Sequence, residues 1–153
     1  MIAPDQPAGG ARRRWMSVLA RADAAEIDRL LAGCPPLPEC ARLRGPEVGL
    51  VMARGRAGGT GQAFNLGEIA VTRCTVRSAG GIAGHAYVRG RDTRLAELAA
   101  ALDAALQDPE QAPAFDVGVI APLAAAQALR RERAARKAAA TQVRFFTMAT
   151  MRS

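Results

Sequence analysis

Residues 72–89 read TRCTVRSAGGIAGHAYVR, and this stretch decides the fold. Two runs with apolar and polar residues alternating every second position flank the small-residue segment 78–81, a pattern typical of two strands joined by a tight turn. If the second strand covers residues 82–89, Ile82, Gly84, Ala86 and Val88 share one face, and Ala83, His85, Tyr87 and Arg89 share the other. Arg73, Thr75 and Arg77 extend the polar face onto the preceding strand, which predicts a basic surface for solvent or an anionic partner.

Period-two alternation also precedes this stretch, and it predicts an antiparallel sheet of three to five strands between Ala41 and Arg91. The further strands are marked by Val48, Leu50 and Met52, by Phe64 and Leu66, and by Ile69 and Val71. A glycine-rich segment, residues 55–61, predicts the first turn of this sheet.

Helical periodicity surrounds the sheet on both sides. Trp15, Val18, Leu19 and Ala22 predict a first helix, and a second helix is expected to begin after Asp23, which has Glu26 three residues later, and to run to Gly33. Asp92 predicts the cap of a third helix with a core-facing stripe of Leu95, Leu98, Ala99, Leu102 and Leu106. The chain is therefore expected to be α+β, an antiparallel sheet flanked by N-terminal, central and C-terminal helices.

The last third of the chain predicts a short strand at residues 117–120, and then an alanine-rich helix that Pro122 opens and that reaches about Ala140. Leu123 and Leu129 are its only large apolar side chains, and the tail at residues 143–148 is apolar. We expect a flexible leader at residues 1–11 and a single domain at residues 12–153, whose C-terminal helix and tail dock on partner subunits.

The charge distribution, the apolar runs and the cysteines of the sequence limit the classes of protein to which the chain could belong. The formal net charge is +7, with eight basic and three acidic side chains in residues 34–91, but one basic and six acidic in residues 92–120. The absence of a long uncharged apolar run predicts a soluble, cytoplasmic protein with no membrane contact. The three cysteines, Cys34, Cys40 and Cys74, fit neither a disulfide framework nor a metal motif, so we expect reduced thiols and no metal site within this chain.

Two motifs could bind an anion, and each has an ordinary structural alternative. Residues 54–61 read RGRAGGTG, which could present backbone N–H groups to a phosphate or could simply form a glycine-rich hairpin turn. The single histidine, His85, is either a structural residue or part of a site that another chain completes. The candidate substrate or phosphate ligands are Arg54, Arg56, Gly58, Gly59, Thr60, Gly61, Arg73, His85 and Arg89, and no catalytic set can be assigned.

The arginine-rich end of the last helix, residues 130–137, leaves three interpretations open: a solvated face, contact with nucleic acid or polyphosphate, and a salt-bridged subunit interface. A small basic nucleic-acid-binding protein is therefore the alternative function. Aromatic residues are only 4% of the chain, which is few for stacking on bases.

Several strings in order along nearly the whole chain resemble one family, the G subunit of bacterial carbon-phosphorus lyase. They are RWMSVLA (14–20), GLV (49–51), GGTG (58–61), TRCTVR (72–77), GHAYVRGRD (84–92), IAPL (120–123) and FFTM (145–148). Arg144 departs from the family, in which an acidic residue more often precedes the Phe-Phe pair.

The resemblance implies a subunit of a transferase that is inactive alone. It implies assembly with the H, I and J subunits and with the accessory K and L proteins. With H, I and L, the G subunit would replace the adenine of ATP by a phosphonate, giving ribose 1-phosphonate 5-triphosphate during phosphonate catabolism. It also implies that this chain carries no cofactor of its own, whereas the J subunit holds an iron-sulfur cluster and S-adenosylmethionine.

Overall fold

The computed structural model describes residues 8–56 and 61–141. Its elements in chain order are helix α1 (Ala8–Leu19), helix α2 (Ala24–Leu31), strands β1 (Cys40–Gly55), β2 (Phe64–Ser78) and β3 (Ala83–Arg89), helix α3 (Thr93–Leu106), helix α4 (Ala112–Phe115), a π-helical turn (Asp116–Ile120) and helix α5 (Ala121–Ala140). The predicted α+β class is confirmed. Residues 1–7 and the predicted tail at 143–148 lie outside the described residues.

The two N-terminal helices form where their apolar spacing and caps predict. Trp15, Val18 and Leu19 are buried on one side of α1. The Asp23 side chain accepts hydrogen bonds from the backbone nitrogens at the start of α2, which satisfies donors that the helix itself cannot. Because α1 begins at Ala8, its first four residues fall within the segment predicted as a leader.

The sheet is antiparallel and has three strands in the order β1-β2-β3. The residues from Phe64 to Ser78, predicted as separate short strands, form one continuous strand, because the break in the alternation near Gly67 is a shift in register with β1 and not a turn. The face assignment for β3 is confirmed, since Ala86 and Val88 are buried while His85, Tyr87 and Arg89 are exposed.

Helix α3 covers the buried face of the sheet. Its cap is as predicted, with the Asp92 side chain accepting from the Leu95 backbone nitrogen, and Leu95, Ala99, Leu102 and Leu106 are buried. Gly84 on β3 makes this close approach possible, because a Cβ there would lie 2.7 Å from the Ala104 backbone nitrogen and would overlap other α3 atoms as well.

The strand predicted at residues 117–120 is wrong. This apolar run is the π-helical turn that joins α4 to α5, so residues 112–140 are helical throughout. Val119 and Ile120 are completely buried next to Phe115 and Leu123 in the core, and helical spacing allows all four to face inward. Of the two large apolar residues of α5, Leu123 is buried and Leu129 is 53% exposed.

The helical stretch from Ala112 to Ala140 is long and apolar enough to cross a membrane by length and composition alone. Core helices of soluble proteins can be equally long and apolar, but they are mostly buried, whereas 28% of the most apolar part of this helix is buried. Here Phe115, Ile120 and Leu123 pack in the core, and Gln127 donates a buried 2.9 Å hydrogen bond to the Val18 carbonyl. These contacts bury part of its apolar side, while Val117 and Leu129 remain exposed.

The first two strands extend far beyond the third. Strand β3 pairs only with residues 71–77 of β2, whereas β1 follows β2 from Cys40↔Ser78 to Gly55↔Phe64. We call the outer part of this pair, residues 50–55 and 64–70, the arm. The arm is a two-stranded ribbon without a third strand among the described residues.

Candidate functional site

The solvent-facing side of the sheet, which we call the open face, is the basic surface that the sequence predicts. Arg73 lies opposite Tyr87, and Thr75 lies opposite His85, in the β2-β3 register. Their side chains therefore share the face opposite to α3. Arg89 lies on the same face and is exposed.

An ion-pair cluster neutralises part of this face. Glu47 on β1 accepts hydrogen bonds from Arg73 Nε at 3.0 Å and Nη2 at 2.9 Å, and from Arg44 Nε at 3.1 Å. The hydrogen bonds from Arg73 and then Arg44 lower the pKa of Glu47, and Glu47 in turn raises the pKa of Arg73. Arg73 is thus held in place at the base of the arm.

The exposed His85 side chain borders a cleft between β3 and α1. Its Nδ1 atom lies 3.2 Å from Thr75 Oγ1. The cleft has a volume of ≈ 660 Å³ and is also lined by Arg12, Arg13 and Tyr87. Among the described residues, His85 makes no side-chain hydrogen bond to a carboxylate or to a cysteine, so this region holds no catalytic triad.

A buried carboxylate beneath the open face was missed by the sequence analysis. Asp103 on α3 has no solvent exposure, and it accepts hydrogen bonds from Arg12 (Nε 3.1 Å, Nη2 2.8 Å), Trp15 Nε1 (2.9 Å) and the His85 backbone nitrogen (2.8 Å). Gln107 Nε2 donates to the same carboxylate at 3.2 Å. An acidic residue within the buried run 102–106 of α3 was the available signal.

The glycine-rich motif lies at the far end of the arm. Arg54 is opposite Asn65 in the strand register, and Arg56 Nη1 donates to the Gly61 carbonyl at 3.2 Å. Gly61 has a φ of 95°, which favours glycine. The other predicted ligands in this motif, Gly58, Gly59 and Thr60, lie outside the described residues.

The predicted ligands consequently fall into two groups. Arg73, His85 and Arg89 lie on the open face, whereas Arg54, Arg56 and Gly61 lie at the tip of the arm. Eight positions along β2 separate Asn65, the partner of Arg54, from Arg73, which corresponds to about 27 Å of extended strand. Within one chain, a single phosphate cannot contact both groups.

In the part of the chain that the structure describes, neither a metal-binding cluster nor a reactive cysteine is available for catalysis. No cluster of three or more His, Cys, Asp and Glu side chains could hold a metal ion in residues 8–56 and 61–141. Cys34, Cys40 and Cys74 are free thiols, and burial raises the pKa of Cys40 and Cys74, which favours the unreactive protonated form.

These features define a class of protein: a small α+β subunit that offers charged and apolar surfaces to other molecules, without a complete catalytic set among its described residues. The sequence profile described as "Phosphonate metabolism protein PhnG" matches residues 10–151. The chain therefore belongs to the PhnG family. One relative, the "Alpha-D-ribose 1-methylphosphonate 5-triphosphate synthase subunit PhnG" of Rhizobium meliloti (strain 1021), is 42% identical over 137 residues, which cover 90% of this chain and 87% of the relative.

Proposed function

We propose that the chain is the G subunit of an α-D-ribose 1-methylphosphonate 5-triphosphate synthase in the carbon-phosphorus lyase system. The observation that carries this proposal is the 42% identity to a relative with that name over 90% of the chain. The reaction replaces adenine at C1 of the ribose of ATP by a phosphonate, and it serves the catabolism of organic phosphonates.

The subunit acts only in a complex. Displacement at C1 needs a group that helps adenine leave and positive charge that stabilises the triphosphate. The described residues supply one histidine, His85, and arginines on two separate surfaces, which is too little for the whole reaction. The H, I and L proteins complete the synthase, the J subunit brings the iron-sulfur cluster and S-adenosylmethionine, K is a further accessory protein, and the complex works in the cytoplasm.

The open face is the part of the chain best suited to anionic substrate groups. Arg89 is exposed beside Tyr87, and the Nη1 atom of Arg73 is not used by Glu47, which accepts only from Nε and Nη2. In this proposal, the open face borders a substrate site that a partner subunit completes, and the arm tip with Arg54 and Arg56 contacts a different site or a different subunit.

Nucleic-acid binding is not favoured as the function. Arg130 and Arg136, in the basic half of α5, are paired with Glu26 and Glu132, which lowers their free positive charge. Membership of a phosphonate metabolism family also favours a role in metabolism over nucleic-acid binding.

Reconstitution tests the proposal directly. The chain is co-expressed with the H, I, J and L proteins from the same source, and the purified assembly is given ATP and methylphosphonate. We expect adenine release and formation of the ribose 1-phosphonate 5-triphosphate by the full set, and no turnover by the chain alone or by the set lacking it. Full activity without the chain would refute the proposal.

A further inference from the structure

The arm carries an unusual amount of uncovered apolar surface. Six of its large apolar residues are between 42% and 63% exposed: Leu50, Val51, Met52, Phe64, Leu66 and Ile69. Together they expose on the order of 600 Å², which approaches the roughly 800 Å² that each partner buries in a standard protein interface.

The apolar side chains lie on both faces of the arm. Leu50 pairs with Ala70 and continues the side of β2 that faces α3, whereas Val51 pairs with Ile69 and continues the open face. An isolated two-stranded ribbon is only marginally stable in water, so exposing both apolar faces is unfavourable for a free chain. A partner that covered one face would leave the other uncovered.

We propose that the arm is inserted into a two-walled apolar cleft of another subunit of the synthase, with acidic groups of that subunit receiving Arg54 and Arg56 at the tip. This inference rests on the proposed function, because that function supplies the partner. The tip arginines are exposed, and neither forms an ion pair with a carboxylate among the described residues. The partner is therefore recognised by apolar walls and negative charge at the closed end.

A second copy of this chain is a poorer occupant. Two of its clefts have volumes of ≈ 660 and ≈ 620 Å³, and Arg12, which is paired with Asp103, lines both of them. Among the described residues, no carboxylate lines either cleft, so neither offers a counter-charge to Arg54 and Arg56. Two arms stacked face to face would cover one side of each and leave Leu50 or Val51 in water.

The test uses the reconstituted complex with one charge placed on each face of the arm. In Leu50→Glu and Val51→Glu, a carboxylate would enter an apolar wall, so we expect partner affinity to fall by about ten-fold or more in both variants. Val117→Glu is the matched control, because Val117 is 73% exposed and lies on the π-helical turn. The control should co-purify at wild-type stoichiometry.

The outcomes separate this inference from the proposed function. If the wild-type chain fails to assemble or to support turnover, the proposed function fails. If the wild type assembles and Leu50→Glu and Val51→Glu do so equally well, only the arm inference fails. Loss of assembly in one arm variant alone would exclude the two-walled cleft, and an equal loss in Val117→Glu would exclude the arm as the specific contact.

A crosslink identifies the occupant even where a charged variant folds poorly. A photoreactive Phe64→p-benzoylphenylalanine substitution keeps an aromatic ring on the arm. Irradiation of the complex should join this position to another subunit, which mass spectrometry identifies. A crosslink to a second copy of this chain, or no crosslink in the assembled complex, would overturn the proposal.

Discussion

The carboxylate of Asp103 accepts a 2.8 Å hydrogen bond from the backbone nitrogen of His85, so the strand that displays the single histidine is tied to the centre of α3. The same carboxylate binds Arg12 and Trp15 of α1. One buried side chain thus fixes the relative positions of β3, α3 and α1, and residues of β3 and α1 line the cleft beside His85.

Replacing Asp103 by alanine should destabilise the chain by about 3 kcal/mol, because Trp15 and the His85 backbone would lose a buried acceptor and Arg12 its counter-charge. Urea unfolding followed by the fluorescence of the single tryptophan measures the loss. The control is Asp108→Ala, whose bonds to residues 110 and 111 are local, and it should cost less than about 1 kcal/mol. Equal losses would contradict the central role of Asp103.

Gly84→Ala should be more damaging than its size suggests. The added methyl group would meet the backbone of α3 at Ala100 and Ala104, and backbone cannot rotate away as a side chain can. We expect a loss of more than about 3 kcal/mol in the free energy of unfolding. Gly49→Ala, with no atom within 4 Å of the new group, should change stability by no more than about 0.5 kcal/mol in the same urea experiment.

Acid should weaken the base of the arm. Because Arg73 and Arg44 hold the pKa of Glu47 below its ordinary value, this group stabilises the fold above about pH 5, and the contribution disappears as the pH falls through the lowered pKa. Thermal unfolding of wild type and Glu47→Gln between pH 7 and pH 3 should differ at pH 7 and converge in acid. Glu68→Gln, on the exposed arm, serves as the control and should follow the wild type throughout.

Two arginine substitutions test the phosphate-binding role of the two surfaces. If the open face contacts substrate, Arg73→Ala should lower the affinity of the intact complex for ATP by about ten-fold, the loss of one charged hydrogen bond. If acidic groups of a partner subunit receive the arm tip, Arg56→Ala should leave that affinity unchanged and weaken assembly instead. Calorimetry on preparations of verified subunit composition measures both, with Arg29→Ala on α2 as the control.

Unchanged ATP affinity in Arg56→Ala and Arg73→Ala would leave the chain as a scaffold. Dissociation of the complex in either variant would instead assign that arginine to a subunit interface. The two results are distinguished on one preparation, because size and affinity are measured together.

The sequence predicted the local elements well where local chemistry determines them. Asp23 and Asp92 cap the helices that their positions indicate, and the alternation from Ala83 to Arg89 places His85 on the exposed face. These features depend on neighbours within a few residues, so a pattern of spacing is sufficient to find them.

The wrong strand at residues 117–120 and the missed carboxylate of Asp103 both depend on contacts between residues that are distant in sequence. An apolar run such as residues 117–120 fits a strand locally, and its helical form follows from packing in the core against α1 and α2, about 90 residues or more away in sequence. Asp103 is buried because residues far away in sequence supply its donors. The arm could be predicted as strands, but its two-stranded form, as seen among residues 8–56 and 61–141, is a property of the assembled sheet.

The separation of 91 residues between Arg12 and Asp103 also bears on the order of events during synthesis. When α1 leaves the ribosome, Asp103 of α3 has not yet been synthesised. The apolar ring of Trp15 therefore stays exposed to solvent until most of the chain has emerged. Contacts of such length slow folding, because a large loop must close before they form. We therefore expect α1 to be among the last elements to dock on the core, even though it is the first to be translated.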